Sequence, residues 1–178
     1  MEHEQVRELV GSLARAQDAV VAERWMYQVE ELAVPVNGSL RPVAETAAAA
    51  LVQELPTATA AARPELLAVL VQLAHGAAEA EGSASVAKLR NEIERGLQVF
   101  EEIARGGTRE ERLVCVDLFS ACARLSRESF DRSMPVLSLL AESGPDEHQA
   151  VAVERDDLVA CGYPDRFEAS ESGAATGQ

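Results

Sequence analysis

Two segments of the chain repeat one spacing of apolar side chains after an arginine. Counted from Arg63 and from Arg112, apolar residues fall at offsets three, four, seven, ten and eleven. This spacing predicts one face of an α-helix, because a helix returns to the same side every three to four residues. The repetition favours stacked helices that bury a continuous seam. The two sets are Leu66, Leu67, Leu70, Leu73 and Ala74, and Cys115, Val116, Phe119, Cys122 and Ala123.

Similar apolar stripes predict helices along the rest of the chain, separated by Pro, Gly and capping residues. A first helix is expected from Glu2 to beyond Ala22, and the segment around Trp25 continues it or forms a second. A break follows at Val34–Ser39, with Ser39 as a candidate N-cap and Pro42 early in the next helix.

The later boundaries rest on proline, glycine and capping signals. One helix is opened by Pro64 and stopped by Gly76, and a long helix carries Leu89 to Ile103. A capping box at Thr108–Glu111 starts the next helix, which runs to about Leu125. A shorter helix follows around Met134 to Leu140, and a last helix runs from Pro145 to Cys161 and is stopped by Gly162.

No stretch shows the alternation of a β-strand, so we predict an all-α fold. Residues 1–163 form one predicted helical domain. Residues 164–178 turn to Glu, Ser, Gly and Ala, and we predict a disordered tail there. The helix starts at Pro64, Arg109 and Pro145 lie 45 and 36 residues apart, which is typical of paired-helix repeats.

Five segments between residues 20 and 162 carry a resemblance to a known family: Trp25 ahead of Asn37-Gly38-Ser39-Leu40, Ala48–Leu55, Arg63–Gly76, Glu94-Arg95-Gly96-Leu97 and Arg112–Leu125. In these segments the chain resembles the HEAT-repeat proteins, in particular the short HEAT-like proteins of actinobacteria. The aspartate usual before the repeat arginine is absent, and Glu110 and Glu111 stand there instead. The resemblance implies a short right-handed α-solenoid of antiparallel helix pairs that binds other macromolecules, without catalytic residues.

The charge of the chain restricts its partners. A net charge of −14 and a pI near 4.6 argue against a nucleic-acid or anionic membrane partner and permit a basic protein; solubility alone also explains such a charge. Lys88 is the only lysine among 16 basic residues, a bias typical of GC-rich bacterial genomes. The three cysteines lack C-x-x-C spacing, and no signal peptide precedes the first helix, so we expect reduced thiols and a cytoplasmic protein.

The sequence predicts no enzyme, cofactor or metal site. His3, His75 and His148 lack the spacing of helix-borne metal ligands. Gly106-Gly107 lacks the lysine of a phosphate loop, and no G-x-S-x-G occurs.

One acidic and aromatic cluster is a candidate interaction site: Glu23, Trp25, Tyr27, Glu30 and Glu31. Aromatic residues rimmed by charge often anchor protein interfaces. The alternative interpretation is that Trp25 and Tyr27 pack the first helices together while the glutamates are solvated.

We therefore expect a non-enzymatic protein-binding module. One alternative is an immunity protein or inhibitor that neutralises a basic toxin or nuclease, since charge complementarity speeds association. Another is a HEAT-like enzyme or small-ligand binder; its DNA-directed version would need a basic groove, for which this chain has too few cations.

Overall fold

The computed structural model describes residues 1–34, 41–80 and 83–167. This part of the chain is all-helical and contains no strand, as the sequence predicts. None of its helices combines the length and apolarity that a membrane crossing requires. The helices are α1 (Glu2–Ala14), α2 (Ala19–Ala33), α3 (Ala44–Glu54), α4 (Arg63–Glu79), α5 (Ala84–Arg95), α6 (Leu97–Gly106), α7 (Arg109–Cys122), α8 (Arg127–Ala141) and α9 (Pro145–Ala160), and a 3-10 turn spans Leu55–Thr57.

The first helix is shorter than predicted, because the chain breaks between Ala14 and Ala19. Asp18 caps α2 by accepting a hydrogen bond from the Val21 amide at 2.9 Å. A side chain that satisfies a free helix amide favours the start of a new helix at that point. The amide of Thr59 donates to the Ala14 carbonyl at 3.0 Å, which fixes the break against the segment before α4.

The sequence predicts Pro42 early in the third helix. That helix begins at Ala44, so Pro42 precedes it instead. The candidate cap Ser39 and most of the predicted break at Val34–Ser39 lie outside the described residues.

Helix α4 runs past its predicted stop at Gly76 and ends at Glu79. The guanidinium of Arg90, on α5, donates to the Ala77 carbonyl from two nitrogens at 2.8 and 3.0 Å. Since a side chain satisfies this end of the helix, no left-handed glycine is required there.

The long helix predicted from Leu89 to Ile103 is two helices, α5 and α6, which meet at Gly96. A Cβ atom on Gly96 would lie 2.4 Å from Cζ of the fully buried Phe100 and 2.9 Å from Cγ2 of Val52. Glycine therefore allows the backbone to approach α3 and the Phe100 ring.

The capping box at the start of α7 is confirmed: the Thr108 hydroxyl accepts from the Glu111 amide, and the Glu111 carboxylate accepts from the Thr108 amide. Gly162 follows α9 with a φ of +81°, the left-handed stop that the sequence predicts.

The tail predicted to be disordered from Pro164 begins with an ordered turn. The Phe167 ring lies 5.1 Å from the Tyr163 ring and 6.3 Å from the Phe130 ring of α8, between centroids. Aromatic pairs at this spacing stabilise a turn. Residues 168–178 lie outside the described residues.

The two matched segments form the centre of the core. All ten of their apolar side chains are at most 1% exposed. Helix α4 packs against α1, α2, α3, α5 and α7, and α7 packs against α4, α6, α8 and α9. The most extensive helix pair is α4 with α7, so the repeated pattern marks the two helices on which the others assemble.

An arginine–glutamate ladder joins the N-terminal ends of α4, α7 and α9. Arg63 Nε lies 2.9 Å from Glu111 Oε1, and Arg112 Nη2 lies 2.9 Å from Glu147 Oε1. Both glutamate side chains are nearly completely buried, and each is the third residue of its helix. The helix dipole favours a carboxylate there, and the guanidinium supplies the charge partner that a buried carboxylate requires.

The ladder has different residues at its two ends. In α7, Glu111 and Arg112 are adjacent, so this helix forms one ion pair with α4 and another with α9. Ala62 precedes Arg63, and His148 follows Glu147. The His148 ring nitrogen Nδ1 lies 3.3 Å from the Ala141 carbonyl oxygen, within the turn that joins α8 to α9.

Replacing Gly96 with alanine should destabilise the fold by about 1–3 kcal/mol, because the buried Phe100 ring and Val52 must both move. Urea unfolding measures the change. The matched control is Gly106→Ala at the end of α6, where an added Cβ meets no atom within 4 Å. The control should be neutral or stabilising by up to about 1 kcal/mol. Equal destabilisation by both substitutions would contradict the close approach at Gly96.

Replacing Glu147 with alanine should lower the free energy of unfolding by about 3 kcal/mol, because the half-buried Arg112 guanidinium loses its charge partner. Thermal and urea unfolding provide the measurement. Glu101→Ala removes an exposed ion pair with Arg105 within α6 and should cost only about 0.5 kcal/mol. The ladder would have no structural importance if the two variants were equally stable.

Candidate interaction face

The candidate cluster on α2 divides between two environments. Glu23, Tyr27 and Glu30 recur at helical spacing, and the Tyr27 side chain is 57% exposed, with its hydroxyl donating to Glu23 Oε1 at 3.3 Å. Trp25 is half-buried and packs against the core. Glu31 lines a separate cavity of about 290 Å³ beside Arg41. Only part of the cluster therefore lies on one face.

Two further glutamates extend this group beyond α2. Burial raises the pKa of Glu65, at the start of α4, and the carboxylates of Glu23, Glu110 and Glu30 raise it further. The carboxylate of Glu23 is also the main cause of a raised pKa at Tyr27. Like charges disfavour ionisation only when they are close together, so α2, α4 and α7 bring their acidic side chains to one region.

A groove between α7 and α9 continues the acidic region. Its volume is about 390 Å³, and it is lined by Asp117, Asp146, Gln149, Ala150, Val153 and Glu154. Burial raises the pKa of Asp117, and the Glu154 carboxylate raises it further. Asp117 lies seven residues after Glu110 on α7, so the two carboxylates share one side of that helix.

We call Glu23, Glu30, Glu65, Glu110, Asp117 and Glu154, with Tyr27, the acidic face. Within residues 1–34, 41–80 and 83–167, none of these six carboxylates forms an ion pair. Arg63 and Arg112 hold the ladder, Arg109 pairs with Asp146, and Arg124, just after α7, pairs with Asp157. The six carboxylates of the face thus lack a direct ion-pair partner within the described residues.

The opposite ends of α4, α7 and α9 enclose a different cleft. Its volume is about 330 Å³, and it is lined by His75, Ala78, Glu79, Arg124, Cys161, Tyr163 and Arg166. In this cleft, Cys161 Sγ lies 3.8 Å from Arg124 Nη1. Cys115 does not line the cleft, and burial raises the pKa of its thiol to about 12. Burial and the Arg124 charge lower the pKa of His75. His148 lies in the first turn of α9 and Cys161 just after its last, so the helix separates them.

Within the described part of the chain, no three His, Cys, Asp or Glu side chains come together as a metal site. Comparison with family models, curated proteins and solved structures finds no match to this chain. The HEAT-like assignment therefore remains a prediction from the sequence.

The sequence identified the α2 members of the acidic face because they are neighbours along the chain. It missed Glu65, Glu110, Asp117 and Glu154, since each is a single carboxylate on a different turn or helix and only the packing of α4, α7 and α9 brings them together. A glutamate in the first turn of α4 and another in the first turn of α7 were the available signal for Glu65 and Glu110, and no such signal marked Asp117 or Glu154.

Asp117→Asn should raise stability at pH 7 by up to about 0.5 kcal/mol, because the charged form of a partly solvated Asp117 is disfavoured in the fold. The folded-state pKa lies above the unfolded value, so the penalty is present above the folded pKa. It should disappear as the pH falls through that pKa towards about 3.9. Urea unfolding from pH 7 to 4 measures this dependence.

The control for that experiment is Asp156→Asn, which makes the same chemical change on an exposed residue of α9 that does not line the groove. It should leave stability unchanged across the pH range. A gain at Asp117 that does not decrease towards pH 4 would contradict the electrostatic origin of the effect.

Proposed function

We propose that this chain is a non-enzymatic protein-binding module that recognises a positively charged partner through the acidic face. The observation that carries the proposal is the convergence of unpaired carboxylates from α2 and α4 around the exposed Tyr27, with the Glu110 carboxylate of α7 acting on Glu65 beside them. Crowded like charges destabilise the isolated fold, and a cationic partner would relieve that repulsion. Tyrosine at such a surface supplies a large contact area with little loss of side-chain entropy.

We further propose that the helices form a short right-handed α-solenoid of the HEAT type. Helix contacts support this arrangement: α2, α4, α7 and α9 pack in that order, and α1, α3 and α5 pack in order beside them. Helix α8 packs against α6, α7 and α9. Such stacking would place the acidic face along one layer, where repeat proteins present extended binding surfaces.

Affinity purification from the native host with mass spectrometry tests the binding function. The test variant is Glu30→Gln/Glu65→Gln/Glu110→Gln, which removes three charges from the acidic face. We expect at least tenfold lower recovery of the partner that the wild-type chain captures, because the charges that attract it are missing.

The matched control is Glu92→Gln/Glu101→Gln/Glu102→Gln, which removes the same charge from α5 and α6. Two of these glutamates already pair with Arg95 and Arg105 on their own helices. The control should retain the partner. Equal loss with both triple variants would indicate an effect of net charge alone, and absence of any specific partner would contradict the proposal.

The net charge of −14 favours one particular form of this function, inhibition of a basic toxin or nuclease. Opposite charges accelerate association at low salt, which suits an inhibitor that must capture its target quickly. In that case the purified partner is a basic toxin or nuclease, and one equivalent of this protein abolishes its activity. A partner whose activity is unaffected would instead indicate a scaffold or adaptor.

A further inference from the structure

The groove between α7 and α9 is built differently from the rest of the acidic face. Its α9 wall consists of residues 146, 149, 150, 153 and 154, which recur at the spacing of one helix face. Val153 is 60% exposed on this wall, and carboxylates lie on both sides of the groove. An apolar side chain thus lies in water between negative charges.

We infer that this groove binds a cationic amphipathic helix of the partner, with an apolar side chain against Val153 and lysine or arginine side chains against Asp117 and Glu154. The inference rests on the proposed function and specifies the chemistry of the segment that is recognised. Helices commonly bind such grooves through apolar residues spaced three and four apart.

Charge complementarity determines the sign of the charge that an occupant of the groove must carry. Asp117 and Glu154 have no ion-pair partner among the described residues, and each lies in the field of the other. The Arg124 guanidinium also acts on Glu154, but its ion pair is with Asp157. Asp146 pairs with Arg109, but both side chains are more than half exposed, so a partner's cation can replace that guanidinium at little cost. An occupant with basic residues would neutralise all three carboxylates.

The same charges disfavour the two occupants that the chain itself could provide. A second copy carries a net charge of −14 and would bring further carboxylates to the groove. The segment 168–178 contains Glu168 and Glu171 and no lysine or arginine. Like-charge contacts of this kind oppose association, so the groove suits a separate basic partner.

Fluorescence anisotropy with two labelled peptides tests the inference. The first is a 14-residue peptide of lysine and leucine with leucines three and four apart, and the second replaces every leucine with serine at the same charge. At physiological salt, the lysine–leucine peptide should bind the full-length protein at least tenfold more tightly. The contact with Val153 would provide the difference.

Three variants separate the two parts of the recognition. Val153→Ser should weaken the lysine–leucine peptide about three- to tenfold, in line with one lost apolar contact, and leave the lysine–serine peptide unchanged. Asp117→Asn/Glu154→Gln should weaken both peptides. The control Val159→Ser alters a valine that is 73% exposed on α9 but does not line the groove, and it should change neither affinity.

Equal affinity for the two peptides, or equal effects of Val153→Ser and Val159→Ser, would overturn the inference. The proposed function would survive that result if the native partner were still lost from the Glu30, Glu65 and Glu110 variant. A photo-crosslinking residue, p-benzoylphenylalanine in place of Val153, identifies the occupant directly. Crosslinks to the lysine–leucine peptide support the inference, whereas crosslinks to a second copy or to residues 168–178 contradict it.

Discussion

The need to neutralise two buried carboxylates constrains the arrangement of α4, α7 and α9. Glu111 and Glu147 are almost fully removed from water, and an isolated charge in that position would cost several kcal/mol. Glu111 receives its guanidinium from α4 and Glu147 receives its guanidinium from α7, which requires α4, α7 and α9 to begin at the same end. A slide of α4 along α7 would separate a buried carboxylate from its charge partner, so the ladder favours the observed register.

The ladder also explains the character of the surface. Arg63, Arg112 and Arg124 point their charges at carboxylates between helices, so they do not neutralise the acidic residues that face solvent. The chain contains few cations, and those that pair with carboxylates between helices are not available to neutralise the exposed carboxylates. The fold accepts a crowded negative surface that lowers its own stability, and this arrangement supports the proposed binding function.

Much of the fold could be predicted from the sequence where one local signal decided the outcome. The Thr108 capping box, the Gly162 stop and the buried faces of α4 and α7 follow from short-range chemistry. The predicted helix boundaries were wrong where a contact between residues distant in the sequence decided the boundary. Gly96 divides a continuous apolar stripe because Phe100 and Val52 lie where its side chain would be. The acidic face was predictable only on α2, since its other members are brought together by tertiary packing.

The residues that flank the ladder end it at α4 and at α9. A helix inside the series needs a glutamate to receive a guanidinium and an adjacent arginine to pass one on, and α7 has both. Ala62, just before α4, stands where the receiving glutamate would be, and His148, the fourth residue of α9, stands where the donating arginine would be. A helix placed beside either end of the ladder would find no charged partner at these positions. Within the described residues, the ladder is therefore limited to α4, α7 and α9.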